Sequence, residues 1–168
     1  MKDYIRRMEH ELVEIPEATW ACYSLEMNMM KDRTAEVWKT FMPLFAQIPG
    51  KVNLQKISIQ NYGGAFDIHS FTPETLFMRG AAVEISGEQE LPTPLETLKF
   101  RGGLYLKTRY KGLPQNAVTF FQKLYLEVLP QMKLQPDNRI QFELLLPNYS
   151  PENPDSEEDV FIPVRPML

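Results

Sequence analysis

Residues 137–149 read DNRIQFELLLPNY. Strand side chains alternate between faces, so Ile140, Phe142, Leu144 and Leu146 share one face, and Arg139, Gln141, Glu143 and Leu145 the other. The first face is apolar throughout, as a core strand requires. The second carries a carboxylate, Glu143, beside the apolar Leu145. A plain solvent face accounts for Gln141 and Glu143 but not for Leu145. Glu143 is therefore either solvated or placed in a pocket.

The same pattern occurs earlier in the chain. Setting KISIQNY (56–62) against RIQFELL (139–145) brings Ile57 onto Ile140, Ile59 onto Phe142 and Gln60 onto Glu143, a spacing of 83 residues. That spacing also carries Ala21 in TWACYSLEM onto Leu104 in GLYLKTRYK, Trp38 onto Phe121, Phe41 onto Leu124, and Met78 in FMRGAAVEI onto Phe161 in VFIPVRP. Each half reads strand, helix, strand, strand. Two copies are too few for a solenoid. They predict an α+β fold of two βαββ units, roughly 13–86 and 98–165, packed about a pseudo-twofold axis within one domain, 1–168.

Local signals set the elements. Residues 17–28 alternate, with Trp20, Tyr23 and Leu25, and predict a strand. Residues 34–48 place Val37, Phe41, Leu44, Phe45 and Ile48 on one helical stripe. Asp32 or Thr34 can cap that helix, Pro49-Gly50 ends it, and Pro43 should kink it by removing a backbone donor. Strands are expected at 56–62, within 75–86, and at 103–110. A helix should run from Pro114 to about Pro130 with Ala117, Phe121, Leu124, Tyr125 and Val128 inward. Strands at 139–146 and 159–164 follow. GEQELPTPLETL reads as a loop, and the acidic PNYSPENPDSEED as a solvated one that includes Tyr149.

Composition excludes several classes. A net charge of −4 argues against a nucleic-acid module. No apolar run approaches the roughly 18 residues of a membrane span, and MKDYIRRMEHELVEIPEA lacks a signal core. The lone cysteine, Cys22, cannot close an internal disulfide, which suits a cytoplasmic location, and it reads as a packed thiol. His10 and His69 lack ligand spacing, so no metal and no cofactor are expected.

GLYLKTRYKG, LPQNAVTFFQKLYLEVLP, DNRIQFELLLPNY and NPDSEEDVFIPV resemble the second half of GyrI-like small-molecule-binding domains, the AraC-type effector-binding family. AEVWKTFMPLFAQIPGKVN followed by ISIQNY is similar to the first half of its standalone members. The resemblance runs from about Val13 to Val164, with PDNRIQFE and NPDSEEDVFIPV its most specific parts. It implies paired βαββ (SHS2-like) units with a ligand groove between them. It also implies a small hydrophobic, often cationic ligand, bound by a glutamate among aromatic rings.

The glutamate that matches is Glu143, and the tyrosine of the family's GLY motif matches Tyr105. Trp38 and Phe121 match helix aromatics, and Tyr62 and Tyr110 are further candidates for the groove. Gly80 stands where standalone relatives commonly carry a tryptophan, which predicts a missing pocket wall. Lys107 and Arg109 share the Tyr105 face and would neutralise Glu143 if they reached it. A buried carboxylate is costly; a cation offsets that cost, and aromatic faces add about 0.5–2 kcal/mol each. The expected function is a sensor or sequestering module for such ligands, more a binder than an enzyme. The alternative is a hydrolase of small electrophilic compounds that uses Glu143 and Tyr105 in one groove. No Ser–His or Cys–His pair is placed for nucleophilic attack. Direct DNA binding is not expected, because the duplicated fold uses the whole chain. A protein-partner role, as in gyrase-inhibiting relatives, is compatible with the net charge but not indicated by it.

Overall fold

The computed structural model describes residues 10–168. Among the described residues nine strands form: β1 (His10–Ile15), β2 (Ala18–Met27), β3 (Ile57–Asn61), β4 (Phe77–Ile85), β5 (Glu96–Phe100), β6 (Gly103–Lys111), β7 (Leu134–Pro136), β8 (Gln141–Leu145) and β9 (Glu157–Pro166). Helix α1 (Thr34–Phe41) follows β2, and α2 follows β6. Asp32 accepts the Thr34 N–H at 2.9 Å and so starts α1. The α-helix ends just before Pro43, and the chain tightens into a 3-10 helix over Met42–Gln47, as the lost donor requires. After a 3-10 turn at Pro114–Asn116, α2 runs as α-helix over Ala117–Lys123, as a π-helical turn over Leu124–Val128, and closes at Leu129–Gln131.

The strands make an antiparallel sheet in the order β1-β6-β9-β8-β3-β4-β2-β5, with β7 paired to β9 beside it. The order β6-β9-β8 repeats β2-β4-β3, and the two triplets meet at β8·β3. There Ile59 pairs with Phe142, two residues at the spacing of 83. Gln60 lies across from Gln141, and Ser58 across from Glu143. One equivalence is corrected. Gly80 pairs with Ile59 as Phe161 pairs with Phe142, so Phe161 corresponds to Gly80 and not to Met78. The stretch from Ile59 to Gly80 is two residues longer than that from Phe142 to Phe161. Being even, the difference leaves every side chain on its face.

Three strands were not expected. β1 lies in the segment read only for signal character, β5 at the end of the stretch read as loop, and β7 is a three-residue strand.

Alternation divides the interior. On one side of the sheet, α1 covers Ala21, Phe77, Ala81, Val83 and Ile85, and α2 covers Leu106, Val160, Ile162 and Val164. The opposite face buries Trp20, Cys22, Ile57, Ile59, Phe100, Tyr105, Phe142 and Phe161 together. In a flat sheet Trp20 and Phe142, three strand spacings apart, would stand ~14 Å from each other. Their rings are 5.3 Å apart. The sheet therefore curls around this aromatic face, away from the helices.

Candidate functional site: a buried carboxyl pair between the helices

The two central strands send their apolar side chains to the curled face. On the helix side β3 and β8 present Ser58, Gln60, Gln141 and Glu143, all buried. Their floor lies where the α1 and α2 cores part. Glu158 of β9 joins it. Val160 stands beside Glu143 in the ladder, so Glu158, two residues earlier, is Glu143's diagonal neighbour on the same face. Each glutamate is only 8% exposed.

Burial raises the Glu158 carboxyl well above its ordinary value; the Glu143 charge and a hydrogen bond to the Glu143 side chain add to that, and Arg79 opposes it. Two carboxyls in contact out of water cannot both ionise cheaply, so the pair holds one proton between them. Arg79, from β4, reaches toward the pair with its Nε buried and lacking a hydrogen-bond partner. Its guanidinium lies 5.5 Å from the Phe77 ring centroid.

Tyrosines surround this floor. Tyr125, in the π-helical turn, donates to Gln141 Oε1, and Gln141 Nε2 donates to Gln60 Oε1 at 3.1 Å. Burial, opposed by Arg79 and aided by the Glu143 charge, pushes Tyr62 up to about 12, and burial, aided by Glu158 and then Glu143 and opposed by Arg79, pushes Tyr149 up to about 12. Burial holds Tyr125 well above its ordinary value too. All three therefore remain hydroxyl donors near neutral pH.

The connection between β3 and β4, residues 62–76, closes over the floor. Phe66 sits 4.6 Å from Tyr62, 4.5 Å from Tyr125 and 5.2 Å from Phe71, ring centre to ring centre. Phe66 and Ile68 pack on the α2 core, while Tyr62 and Phe71 pack on the α1 core. The strap thus bridges both helical cores. The gap left beside it, lined by Tyr62, Gly64, Phe66, Tyr125 and Gln141 among others, measures about 10 Å³, room for about one water. A cleft of about 410 Å³ lies elsewhere, over Lys107, Arg109 and Asp159 near β1.

Several expectations are redrawn by this geometry. Glu143 and Tyr62 meet at the floor. Tyr105 does not join them: it lies on the opposite face, fully buried against Phe142, with its hydroxyl donating to the Ile140 carbonyl at 2.7 Å. Alternation separates the two, because Tyr105 shares its face with Phe142, and Phe142 is Glu143's neighbour. Glu143 and Tyr105 cannot act in one groove. Lys107 and Arg109 follow Tyr105; Lys107 lies 5.9 Å from the Phe161 ring centroid, and Arg109 pairs with Asp159 at 3.0 Å. Gly80 also faces away from the floor. A Cβ there would stand 3.1 Å from Cys22 Sγ and 3.2 Å from the Tyr23 carbonyl oxygen, so the missing tryptophan opens no wall of the groove.

Tyr110 is on the helix side, but its hydroxyl is taken by the Leu113 carbonyl. Trp38 is half-buried on the α1 core, edge-on to Phe41 at 5.9 Å, and Phe121 is half-buried on the α2 core beside Phe120 at 5.4 Å. Cys22 is a packed strand thiol, pushed up to about 12 by burial and then by Glu96.

Sequence reasoning missed Glu158, Arg79, Tyr125 and Tyr149 as site residues. Alternation with Val160 and Ile162 was the available signal for Glu158. The acidic run was read as solvated throughout, whereas Glu158 and Asp159 are both buried. Among the described residues no cluster of three or more His, Cys, Asp or Glu could hold a metal ion, and no helix is long and apolar enough to cross a membrane.

The GyrI-like resemblance implies a groove with a glutamate among aromatic rings, and this mixed α/β fold sets Glu143 near Tyr62, Tyr125 and Tyr149. Residues 11–164 match the family model described as integron-associated effector binding protein. The chain belongs to that family. This effector-binding chain is 24% identical over 161 residues to the transcriptional regulator BrlR of Pseudomonas aeruginosa, and covers 95% of itself but 57% of BrlR. It thus spans little more than half of that relative. Two solved structures share the fold. SAV2435 bound to tetraphenylphosphonium aligns at a TM-score of 0.68 with 11% identity, over 94% of both chains. A hydrolase encoded by lin2189 from Listeria innocua aligns at 0.60 with 11% identity, over 94% of this chain and 92% of that one.

Proposed function

We propose that this effector-binding domain takes up a small, largely hydrophobic cation over Glu143, beneath Tyr62, Tyr125 and Tyr149, as a sensor or sequestering module. The observation that carries the reading is the carboxyl pair buried under aromatic side chains, with Arg79 as the cation that faces it. Hydrophobic burial and ring faces bind such a molecule without demanding one shape. Tetraphenylphosphonium in SAV2435 is a ligand of this chemical class on the same fold. The two halves, on this reading, are copies of one βαββ unit of SHS2 type, and the groove is the seam between them. The repeated strand order and the Ile59–Phe142 pairing support that. The hydrolase alternative loses its support here, since Tyr105 is on the wrong face to assist Glu143. Direct DNA binding has no place in this reading, and the regulatory activity of the longer relative is not carried over.

The test is calorimetry with tetraphenylphosphonium and with triphenylphosphine oxide, a neutral molecule of related shape. Glu143→Gln should weaken the cation by about 1–3 kcal/mol, the range for a hydrogen bond or pair involving a charge. The neutral molecule should lose much less. Equal losses for both would remove Glu143 as the charge sensor.

A further inference from the structure

Glu143 and Glu158 are two acids where one would serve a cation. Their side chains are hydrogen-bonded to each other, each is buried, and they stand on adjacent strands. The groups facing them can be enumerated by element. Arg79 comes from β4, Tyr62 from the strap after β3, Tyr125 from α2, Tyr149 from the connection after β8, and Tyr110 from β6. Gln141 and Gln60 complete the floor and are committed to Tyr125 and to each other. Asp32, ahead of α1, also feels the Arg79 charge.

The closed site is near electrical balance. A carboxyl pair sharing one proton carries a single negative charge, and Arg79 carries a single positive one. A monovalent cation brought against this buried pair would leave one uncompensated positive charge, which is expensive without water. The pair can remove that excess by losing its proton to solvent. Both carboxylates would then face two cations, Arg79 and the ligand.

We propose that Glu143 and Glu158 together form a proton–cation exchange site, in which a hydrophobic monocation binds as the pair releases its shared proton. The inference rests on the binding reading above and adds to it Glu158, a proton count and a preferred charge. Neutral molecules gain nothing from the exchange. With one proton released, affinity for a cation rises about tenfold per pH unit while the empty pair is still protonated.

The experiment is titration calorimetry with tetraphenylphosphonium at pH 7 in phosphate, HEPES and Tris, whose ionisation enthalpies differ. The observed enthalpy should vary linearly with buffer ionisation enthalpy, and the slope should correspond to about one proton released per cation bound. Affinity should rise about tenfold from pH 6 to pH 7. Glu158→Gln should still bind, with a slope near zero and an affinity flat in pH. Binding by the wild-type chain with no buffer dependence would overturn the exchange and leave the binding reading intact. A full proton still released by Glu158→Gln would also overturn it, because the proton would come from elsewhere. No binding in any buffer would overturn the binding reading itself. The wild-type slope decides the matter even if the variant does not fold.

Discussion

The Glu158 carboxyl, raised above its ordinary value of 4.5 by burial first and Glu143 next, ties stability to pH. Above about pH 5 the unfolded chain has released a proton that the folded pair retains, so this pair subtracts stability as pH rises. Asp137 acts the other way. Burial alone would raise it, but the Arg139 side chain and the Asn138 N–H hold it below its ordinary 3.8, so its contribution is lost as pH falls through that lowered value. Thermal unfolding should therefore give a Tm that declines from pH 5 to pH 8, and Glu158→Gln should flatten the decline without lowering Tm at pH 8. An unchanged slope in the variant would place the pH dependence on other groups. At this scale Glu143 was legible because a single strand's alternation exposes it. Tyr105 was misplaced for a related reason. Alternation relates residues within one strand, but it cannot say which face of β6 joins which face of β8. That link is made by the ladders through β9, where Tyr105 pairs with Pro163 and Phe142 with Phe161.

Among the elements, the strap at 62–76 covers the floor. It holds its place by a few ring contacts, Phe66 to Tyr62, Phe71 and Tyr125, and by short turns such as the Asp67 carboxylate accepting the His69 N–H at 2.9 Å. Segments with few buried contacts open at lower free energy than core strands. Phe66→Ala should speed amide exchange within the strap while leaving β3 and β8 protected, and it should speed ligand association in stopped-flow mixing. If strap and central strands loosened together, the strap would belong to the core. The strap was not legible as a covering element. Its Gly63-Gly64 pair marks a turn after β3, but nothing local tells where an aromatic in a loop comes to rest. β5 was hidden differently. Its five residues follow two prolines, and only Leu98 and Phe100 turn inward, too short an alternation to separate from loop.

For the whole molecule, the curled aromatic face joins what the helix side keeps apart. Trp20 and Phe100 come from before β6, Tyr105, Phe142 and Phe161 from β6 onward, and Trp20 stacks on Phe100 at 4.3 Å while touching Phe142 edge-on. With one sheet running through both triplets, the chain should unfold in a single transition. Trp20→Ala should cost about 3–5 kcal/mol and move the circular dichroism and Trp38 fluorescence midpoints together in urea. Separate midpoints would mean that the halves are independent units. The strand–helix–strand–strand pattern was legible at this scale because the first strand, helix and second strand of each half recur 83 residues apart, while the two-residue difference before the last strand was not legible. The curl was not, since it depends on rings that meet across two intervening strands.

The position of β9 bears on how the chain is made. It emerges from the ribosome after the other eight described strands, yet it is an interior one, seated between β6 and β8 with β7 alongside. Until it emerges, β6 and β8 each present an unpaired edge, and Glu143 has no partner. Nascent chains are therefore open to edge-to-edge misassociation from the emergence of β6 until that of β9. A truncation within β9 removes the middle of the sheet, whereas one at β5 would remove only a border. For the same reason, a fragment ending before Glu157 offers a vacant slot shaped for one extended strand, the arrangement in which an added peptide completes a sheet.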